Sequence, residues 1–209
     1  LWGALYFHRQ MDVVIDNARQ GRWDRLEQSA ARDCCVGLMG VGALGLEAAR
    51  LLKAAGYRVS GWVRSPREIA GVEIFVGHQA LPAFLAQTDI LVCLLPLTPE
   101  TRGILNRDNL SKLPKGSALI LCSRGEHLVI DDLVALLRER HLRGAILDVF
   151  ENEPLPPEHP LWREPGILVT PHMAGLAKPA AIAKQIMENI RRLDNGGTLL
   201  NRIDSRLGY

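Results

Sequence analysis

The chain has 209 residues, 47% of them hydrophobic, and its 25 Lys and Arg against 23 Asp and Glu leave a formal charge of +2. That much apolar material can build a core, while a nearly balanced charge argues against a nucleic-acid or membrane partner. No apolar run approaches the ~20 residues of a membrane span, and residues 1–7, though apolar, lack the basic start and cleavage site of a secretory leader.

Residues 1–20 carry Leu1, Leu5, Val14 and Ala18 at helical spacing, with no clear start signal. Residues 21–32 are polar and read as a linker. From Cys34 onward strand and helix signals alternate. Strands are expected over 34–39, 57–63, 72–76, 89–95, 117–122, 144–149 and 166–170. Runs such as Ile90-Leu91-Val92-Cys93-Leu94-Leu95 are apolar on both faces, as in a parallel sheet covered by helices on each side. Helices are expected over 43–55, 130–140 and 178–193. Leu44, Ala48, Leu51, Leu52 and Ala55 should form the inner face of the first. Asp131 or Asp132 should cap the second, with Gly144 just beyond its end. The alternation predicts an α/β fold with a doubly wound parallel sheet. Pro154, Pro156, Pro157, Pro160 and Pro165 make residues 150–166 an ordered, rigid loop. Cys34, Cys35, Cys93 and Cys122 lie in or beside the expected strands. They read as reduced core thiols of a cytoplasmic protein, because metal-ligand spacing is absent.

Gly40-Val41-Gly42-Ala43-Leu44-Gly45 follows the first strand and opens the first helix. Strand, glycine turn and helix are the setting in which G-x-G-x-x-G holds a dinucleotide, and an ordinary βα turn is the alternative. The glycines allow a tight turn, a close approach by pyrophosphate and tight helix–strand packing. The helix N-terminus adds free N–H groups and a positive dipole end. An NAD site places a carboxylate at the end of the second strand, on the ribose 2′-hydroxyl. Here that position is Val63, followed by Arg64-Ser65-Pro66-Arg67. Two guanidiniums and a hydroxyl suit a 2′-phosphate, so NADP(H) is expected ahead of NAD(H).

Three segments lie at expected strand ends: Ser123-Arg124-Gly125, Asp148 through Pro156, and Thr170-Pro171-His172-Met173-Ala174-Gly175. Ligands of an open α/β sheet bind outside the carboxyl ends of its strands, so the three should converge. With Leu95 through Gly103, Leu147-Asp148-Val149-Phe150 and the final Arg206-Leu207-Gly208-Tyr209, this set resembles the D-isomer-specific 2-hydroxyacid dehydrogenases. It is most similar to their glyoxylate/hydroxypyruvate reductase A branch.

The resemblance implies a Rossmann-type NAD(P)-binding domain and an enzyme that reduces a small 2-oxo acid to the 2-hydroxy acid. It gives catalytic roles to Arg124, Glu153 and His172. His172 would donate the proton, Glu153 would favour its imidazolium, and Arg124 would clamp the substrate carboxylate. Glu151 is the competing carboxylate, and the E-P-L-P match selects Glu153. The implied cofactor contacts are Gly40, Gly42, Ala43, Leu44, Gly45, Trp62, Arg64, Ser65, Arg67, Leu95, Pro96, Thr101, Cys122, Ser123, Asp148, His172 and Ala174, with Asp148 orienting the nicotinamide. No metal is implied. His8, His78, His127, His141 and His159 lack such context and read as surface residues.

The chain departs from the family in two respects. Leu121 stands where an asparagine is common, three residues before the arginine. By the same resemblance, most of a substrate domain is expected to be missing ahead of Leu1. The organisation expected is therefore a connecting and dimerisation segment at 1–30, the cofactor domain at 31–178, and a C-terminal helix and tail at 179–209 that returns toward the substrate domain. A homodimer is implied. The alternative function is a dinucleotide-binding module that dimerises with little turnover.

Overall fold

The computed structural model describes residues 1–175 and 177–202. All seven expected strands form, each within a few residues of its expected bounds: β1 (Cys35–Met39), β2 (Arg58–Val63), β3 (Glu73–Val76), β4 (Ile90–Cys93), β5 (Ser117–Leu121), β6 (Leu142–Leu147) and β7 (Ile167–Val169). They make one parallel sheet in the order β3-β2-β1-β4-β5-β6-β7. The chain moves outward from β1 to β3, then returns to β4 on the other side of β1. That reversal opens the crevice in which doubly wound sheets bind ligands.

Each face of the sheet carries its own core. Val36, Leu38, Ile90, Ala118, Ile120 and Ile146 pack with Ala49 and Leu52 of α3 (Ala43–Ala54) and with Ala4 and Phe7 of α1 (Trp2–His8). The opposite face carries Met39, Leu91, Cys93, Leu119, Leu121 and Leu147. It packs on Phe84 and Leu85 of α4 (Leu81–Ala86), Leu110 of α5 (Arg107–Leu110), and Leu133, Leu136 and Leu137 of α6 (Ile130–Arg138). Burying a side chain such as Phe7 or Phe84 contributes about 1.5–3 kcal/mol.

Several expectations need correction. The first twenty residues form two helices, α1 and α2 (Met11–Arg19), divided where Gln10 turns left-handed at φ 53°. Leu1, Leu5 and Val14 are exposed, and Ala4 and Phe7 face the sheet instead. The bidentate pair of Arg143 with Asp12, at 2.7 Å, ties α2 to β6. Helix α3 buries Gly45, Ala49 and Leu52; Leu52 belongs to the expected face, but the rest of that face is turned outward by one position, and Leu44 is 65% exposed. Neither Asp131 nor Asp132 caps α6. Its N-cap is Val129, and the Asp132 carboxylate accepts the Arg107 N–H at 2.8 Å. Gly144 lies inside β6 against the Phe7 ring, and Arg140 supplies the left-handed turn after α6 at φ 56°. The C-terminal helix α7 (Pro179–Asp194) forms where expected and buries none of its residues. The final Arg206-Leu207-Gly208-Tyr209 lies outside the described residues. No described helix is long and apolar enough to cross a membrane.

Candidate active site

The glycine loop follows β1 directly. Gly40 sits at φ +93°, where a side chain would be strained and would press on the Leu94 carbonyl at 2.9 Å. A side chain on Gly45 would collide with the Gly40 carbonyl, so this glycine lets α3 close onto the turn. Gly42 opens onto empty space and forms the N-cap of α3 without a side-chain cap. The N–H groups of Ala43, Leu44 and Gly45 therefore start the helix with no intrahelical acceptor. A turn of this kind can cradle a phosphate.

Beside it, Arg64, Ser65 and Arg67 are exposed on the turn after β2. Arg67 Nη1 donates to the Val41 carbonyl at 2.5 Å, which lays that guanidinium against the glycine loop. The Glu100 carboxyl is held below its ordinary value, first by the Thr98 hydroxyl and also by nearby Arg64 and His78. The loop after β4 thus closes toward the same turn. Trp62 is buried, and its Nε1–H is spent on the Gly77 carbonyl at 2.8 Å. It can serve as an apolar wall of the crevice. Thr101 is turned into its own loop: its Oγ accepts the Thr98 N–H and donates to the Pro96 carbonyl, both at 2.8 Å. Leu95 is buried and Pro96 half-buried.

The three chemistry-bearing segments meet at the carboxyl ends of β5, β6 and β7. His172 Nδ1 lies 2.7 Å from Glu153 Oε2. Glu153 Oε1 accepts the Phe150 N–H at 2.8 Å, which fixes the carboxylate in its loop. Partial burial pushes the Glu153 carboxyl up. The His172 and Phe150 hydrogen bonds, with the charges of His172 and Arg124, outweigh that and hold it below the ordinary value. Glu151 instead faces Arg102 at 3.9 Å. Gly125 explains how the arginine loop reaches this cluster, since a side chain there would overlap the Phe150 backbone. Arg124 is exposed, with Nη1 resting on the Ser123 carbonyl at 2.6 Å. A guanidinium has five N–H donors, so most of the fork remains for a ligand.

Asp148 is bonded within the protein. It is 3% exposed and binds the histidine loop. Its Oδ1 accepts the Thr170 hydroxyl at 2.5 Å and the Met173 N–H at 3.0 Å, and Oδ2 accepts the Ala174 N–H at 2.9 Å. Its backbone carbonyl accepts the His172 N–H at 2.9 Å, while His172 sits at φ 50°. The backbone carbonyl holds the strained residue, and the carboxylate holds the two after it.

Ser123 is also turned inward, with Oγ 3.3 Å from Cys93 Sγ and 3.1 Å from His127 Nδ1. His127 is wholly buried, contrary to the surface position expected. His8, His141 and His159 are half-buried, and His78 is exposed with its ring edge-on to Trp62. Nothing in the local pattern around His127 separates it from the surface histidines; its burial follows from the sheet bringing two loops together. Leu121, in the place of the common asparagine, is fully buried in the core beneath α6. A cavity of about 620 Å³ adjoins the cluster, lined by Leu44, Cys122, Asp148 and Ala174 together with Leu1 and Trp2. Arg124, Glu153 and His172 stand outside it.

Comparison with known proteins agrees with this geometry. A family model described as D-isomer specific 2-hydroxyacid dehydrogenase, NAD binding domain, matches residues 1–174. A D-isomer specific 2-hydroxyacid dehydrogenase from Xanthobacter autotrophicus Py2, solved with NADPH and MES, is 45% identical with a TM-score of 0.95, over 99% of this chain and 85% of its own. A family protein from Klebsiella pneumoniae 342 is 46% identical with a TM-score of 0.93, over 99% of this chain and 66% of its own. An NADPH-dependent glyoxylate/hydroxypyruvate reductase from Sinorhizobium meliloti, solved with NADP and sulfate, is 41% identical with a TM-score of 0.95, over 100% of this chain and 67% of its own. The chain spans about two-thirds of the length of the last two.

Proposed function

The chain belongs to the D-isomer-specific 2-hydroxyacid dehydrogenases, and from that premise we propose that it binds NADP(H) and reduces a small 2-oxo acid of the glyoxylate or hydroxypyruvate type. The observation that carries the chemistry is the His172–Glu153 contact of 2.7 Å, beside an arginine and at the sheet end that bears the glycine loop. The relatives solved with NADPH or NADP support the cofactor.

The residues present fit a dinucleotide. Gly42 leaves room above the backbone, α3 begins with uncapped N–H groups, and Arg64, Ser65 and Arg67 flank the crevice where an NAD site carries an acid. When bound, the reduced nicotinamide supplies a hydride to the substrate carbonyl carbon. Glu153 accepts a hydrogen bond from His172 Nδ1, and so leaves Nε2 as the nitrogen that gives a proton to the carbonyl oxygen. Arg124 binds the substrate carboxylate through its fork and draws charge toward the carbonyl. Asp148 holds the loop that aims the imidazole, and its second oxygen retains acceptor capacity toward a nicotinamide amide.

In this reading residues 31–178 form the cofactor unit, residues 1–30 link and dimerise it, and residues 179–209 lead toward a substrate domain. The exposed Leu1, Trp2, Leu5, Met11, Val13, Val14 and Ile15 support a homodimer. Four unpaired cysteines support a reducing, cytoplasmic setting. A second reading, a binding module with little turnover, draws on the openness of the site. The His172 side chain is 51% exposed, and water there weakens both the clamp and the proton donor. NADPH oxidation followed by absorbance in the presence of hydroxypyruvate tests the proposal. Turnover that His172→Ala lowers about 10²–10⁴-fold supports the reductase. NADPH binding without turnover supports the module, and neither binding nor turnover contradicts both.

A further inference from the structure

His127 is wholly buried, yet no step above uses it. Its Nδ1 lies 2.9 Å from the Arg124 carbonyl and 3.1 Å from Ser123 Oγ, and its Nε2 lies 3.3 Å from the Pro96 carbonyl. Pro96 belongs to the loop after β4, which closes toward the Arg64 turn. Arg124 belongs to the loop after β5, which bears the substrate clamp. The same two loops are also joined by backbone bonds, Leu105 N–H to the His127 carbonyl at 2.8 Å and Gly103 N–H to the Glu126 carbonyl at 2.8 Å. The imidazole also spans them, as does the looser pair of Arg102 with Glu126 at 3.9 Å.

We propose that His127 is a positioning residue that couples the dinucleotide-side loop at Pro96 to the backbone of Arg124. The proposal rests on the functional reading above. Its physical basis is proton counting. Both carbonyls can only accept, and a neutral imidazole carries one N–H. With the proton on Nε2 the ring donates to Pro96, and Nδ1 accepts from the Ser123 hydroxyl. With the proton on Nδ1 it donates to Arg124, and the Ser123 hydroxyl turns to the Cys93 sulfur, 3.3 Å away. Each tautomer adds a bond to one loop and withdraws it from the other, which keeps only the Thr101 hydroxyl at Pro96 or the His127 backbone N–H at Arg124, and full burial keeps water from making up the difference. Ser123, whose hydroxyl serves both arrangements, completes the relay.

Two substitutions separate the arrangements. In His127→Asn the amide nitrogen takes the place of Nδ1 and keeps the Arg124 bond. In His127→Gln it takes the place of Nε2 and keeps the Pro96 bond. Backbone amide shifts report each loop, through Leu97 after the Pro96 carbonyl and Gly125 after the Arg124 carbonyl. Fluorescence titration gives the NADPH dissociation constant. His127→Asn should move Leu97, spare Gly125 and weaken NADPH about three- to tenfold, the effect of one net hydrogen bond. His127→Gln should move Gly125, spare Leu97 and leave NADPH affinity within about twofold, as its Pro96 bond is kept. Equal shifts of both amides in both variants, or the same NADPH affinity in the two, would overturn the proposal. If either variant fails to fold, nitrogen-15 shifts of the His127 ring in the wild-type chain decide. NADPH should move the ring resonances, and unmoved resonances on a chain that binds NADPH would overturn it. A wild-type chain that binds no NADPH would remove the functional reading, while the amide shifts would still test the bridge.

Discussion

Replacing Asp148 with asparagine changes little volume but removes a buried charge that holds the histidine loop. The carboxylate accepts three hydrogen bonds, from the Thr170 hydroxyl and from the Met173 and Ala174 N–H groups. An amide keeps only one acceptor oxygen. In its better orientation that oxygen replaces Oδ1 and retains Thr170 and Met173. The new NH₂ then faces the Ala174 N–H, donor against donor, in a site 3% exposed. One bond to a charged acceptor is lost, about 1.5–3 kcal/mol, and the orphaned N–H keeps its desolvation cost, so a net loss of about 3 kcal/mol is expected. For a chain of this length ~1 kcal/mol moves Tm by about 2–4 °C, which gives a fall of roughly 6–12 °C. Circular-dichroism melting reads the stability. The Ala174 amide resonance should move strongly and that of Met173 weakly. A Tm within about 2 °C of wild type with both amides unmoved would refute the assignment of Asp148 as the anchor of this loop, since the estimated fall is several times larger.

Three further outcomes follow from the same geometry. Glu153→Gln should leave the His172 imidazole in place but remove the carboxylate that orients it. The kcat of hydroxypyruvate reduction should then fall at least about tenfold with NADPH affinity little changed, and an unchanged kcat would take Glu153 out of the site. Leu5→Glu with Trp2→Glu should turn a dimer into a monomer in light scattering; a wild-type chain already monomeric at micromolar concentration contradicts the association surface. Burial first, then Asp89, pushes the Cys34 thiol up to about 12, and burial, then Asp148, pushes Cys122 up to about 11. Above the ordinary thiol value of 9.0 the unfolded chain releases protons that the folded chain keeps. Stability should therefore fall from about pH 9 upward, by at most ~1.4 kcal/mol per pH unit for each thiol, until the folded thiols ionise. Cys34→Ala should flatten that decline in urea titrations at high pH, and an identical slope would contradict it.

The strands were legible because a parallel sheet buries both faces, and runs such as Ala118 to Leu121 can sit nowhere else. The helices at 81–86 and 107–110 were not, being too short to show a period, and Pro82 reads as a breaker until it is seen in the first turn of α4. Helix α3 was found, but its phase was missed by one position. Gly45 and Ala49 face the sheet because only small residues fit where the helix closes on the glycine turn, so the larger Leu44 points outward. In the site, motif spacing sufficed to bring Arg124, Glu153 and His172 to one sheet end. It could not tell which polar groups are spent inside their own loops. Thr101 is spent on Thr98 and Pro96 of its own loop, Ser123 reaches Cys93 of β4, Asp148 holds the loop after β7, and His127 gains its importance from two loops distant in sequence. Such bonds depend on three-dimensional closure and leave no periodic trace.

The central claim is that this glycine loop and its arginine turn hold NADP(H). The direct measurement is a paired fluorescence titration of the chain with NADPH and NADH, repeated on Arg64→Ala. NADPH should bind the wild type more tightly. Arg64→Ala should weaken NADPH by ~1–3 kcal/mol, the loss of a hydrogen bond to a charged group, while NADH stays within about twofold because it lacks the 2′-phosphate. Equal or tighter binding of NADH to the wild type would contradict the account.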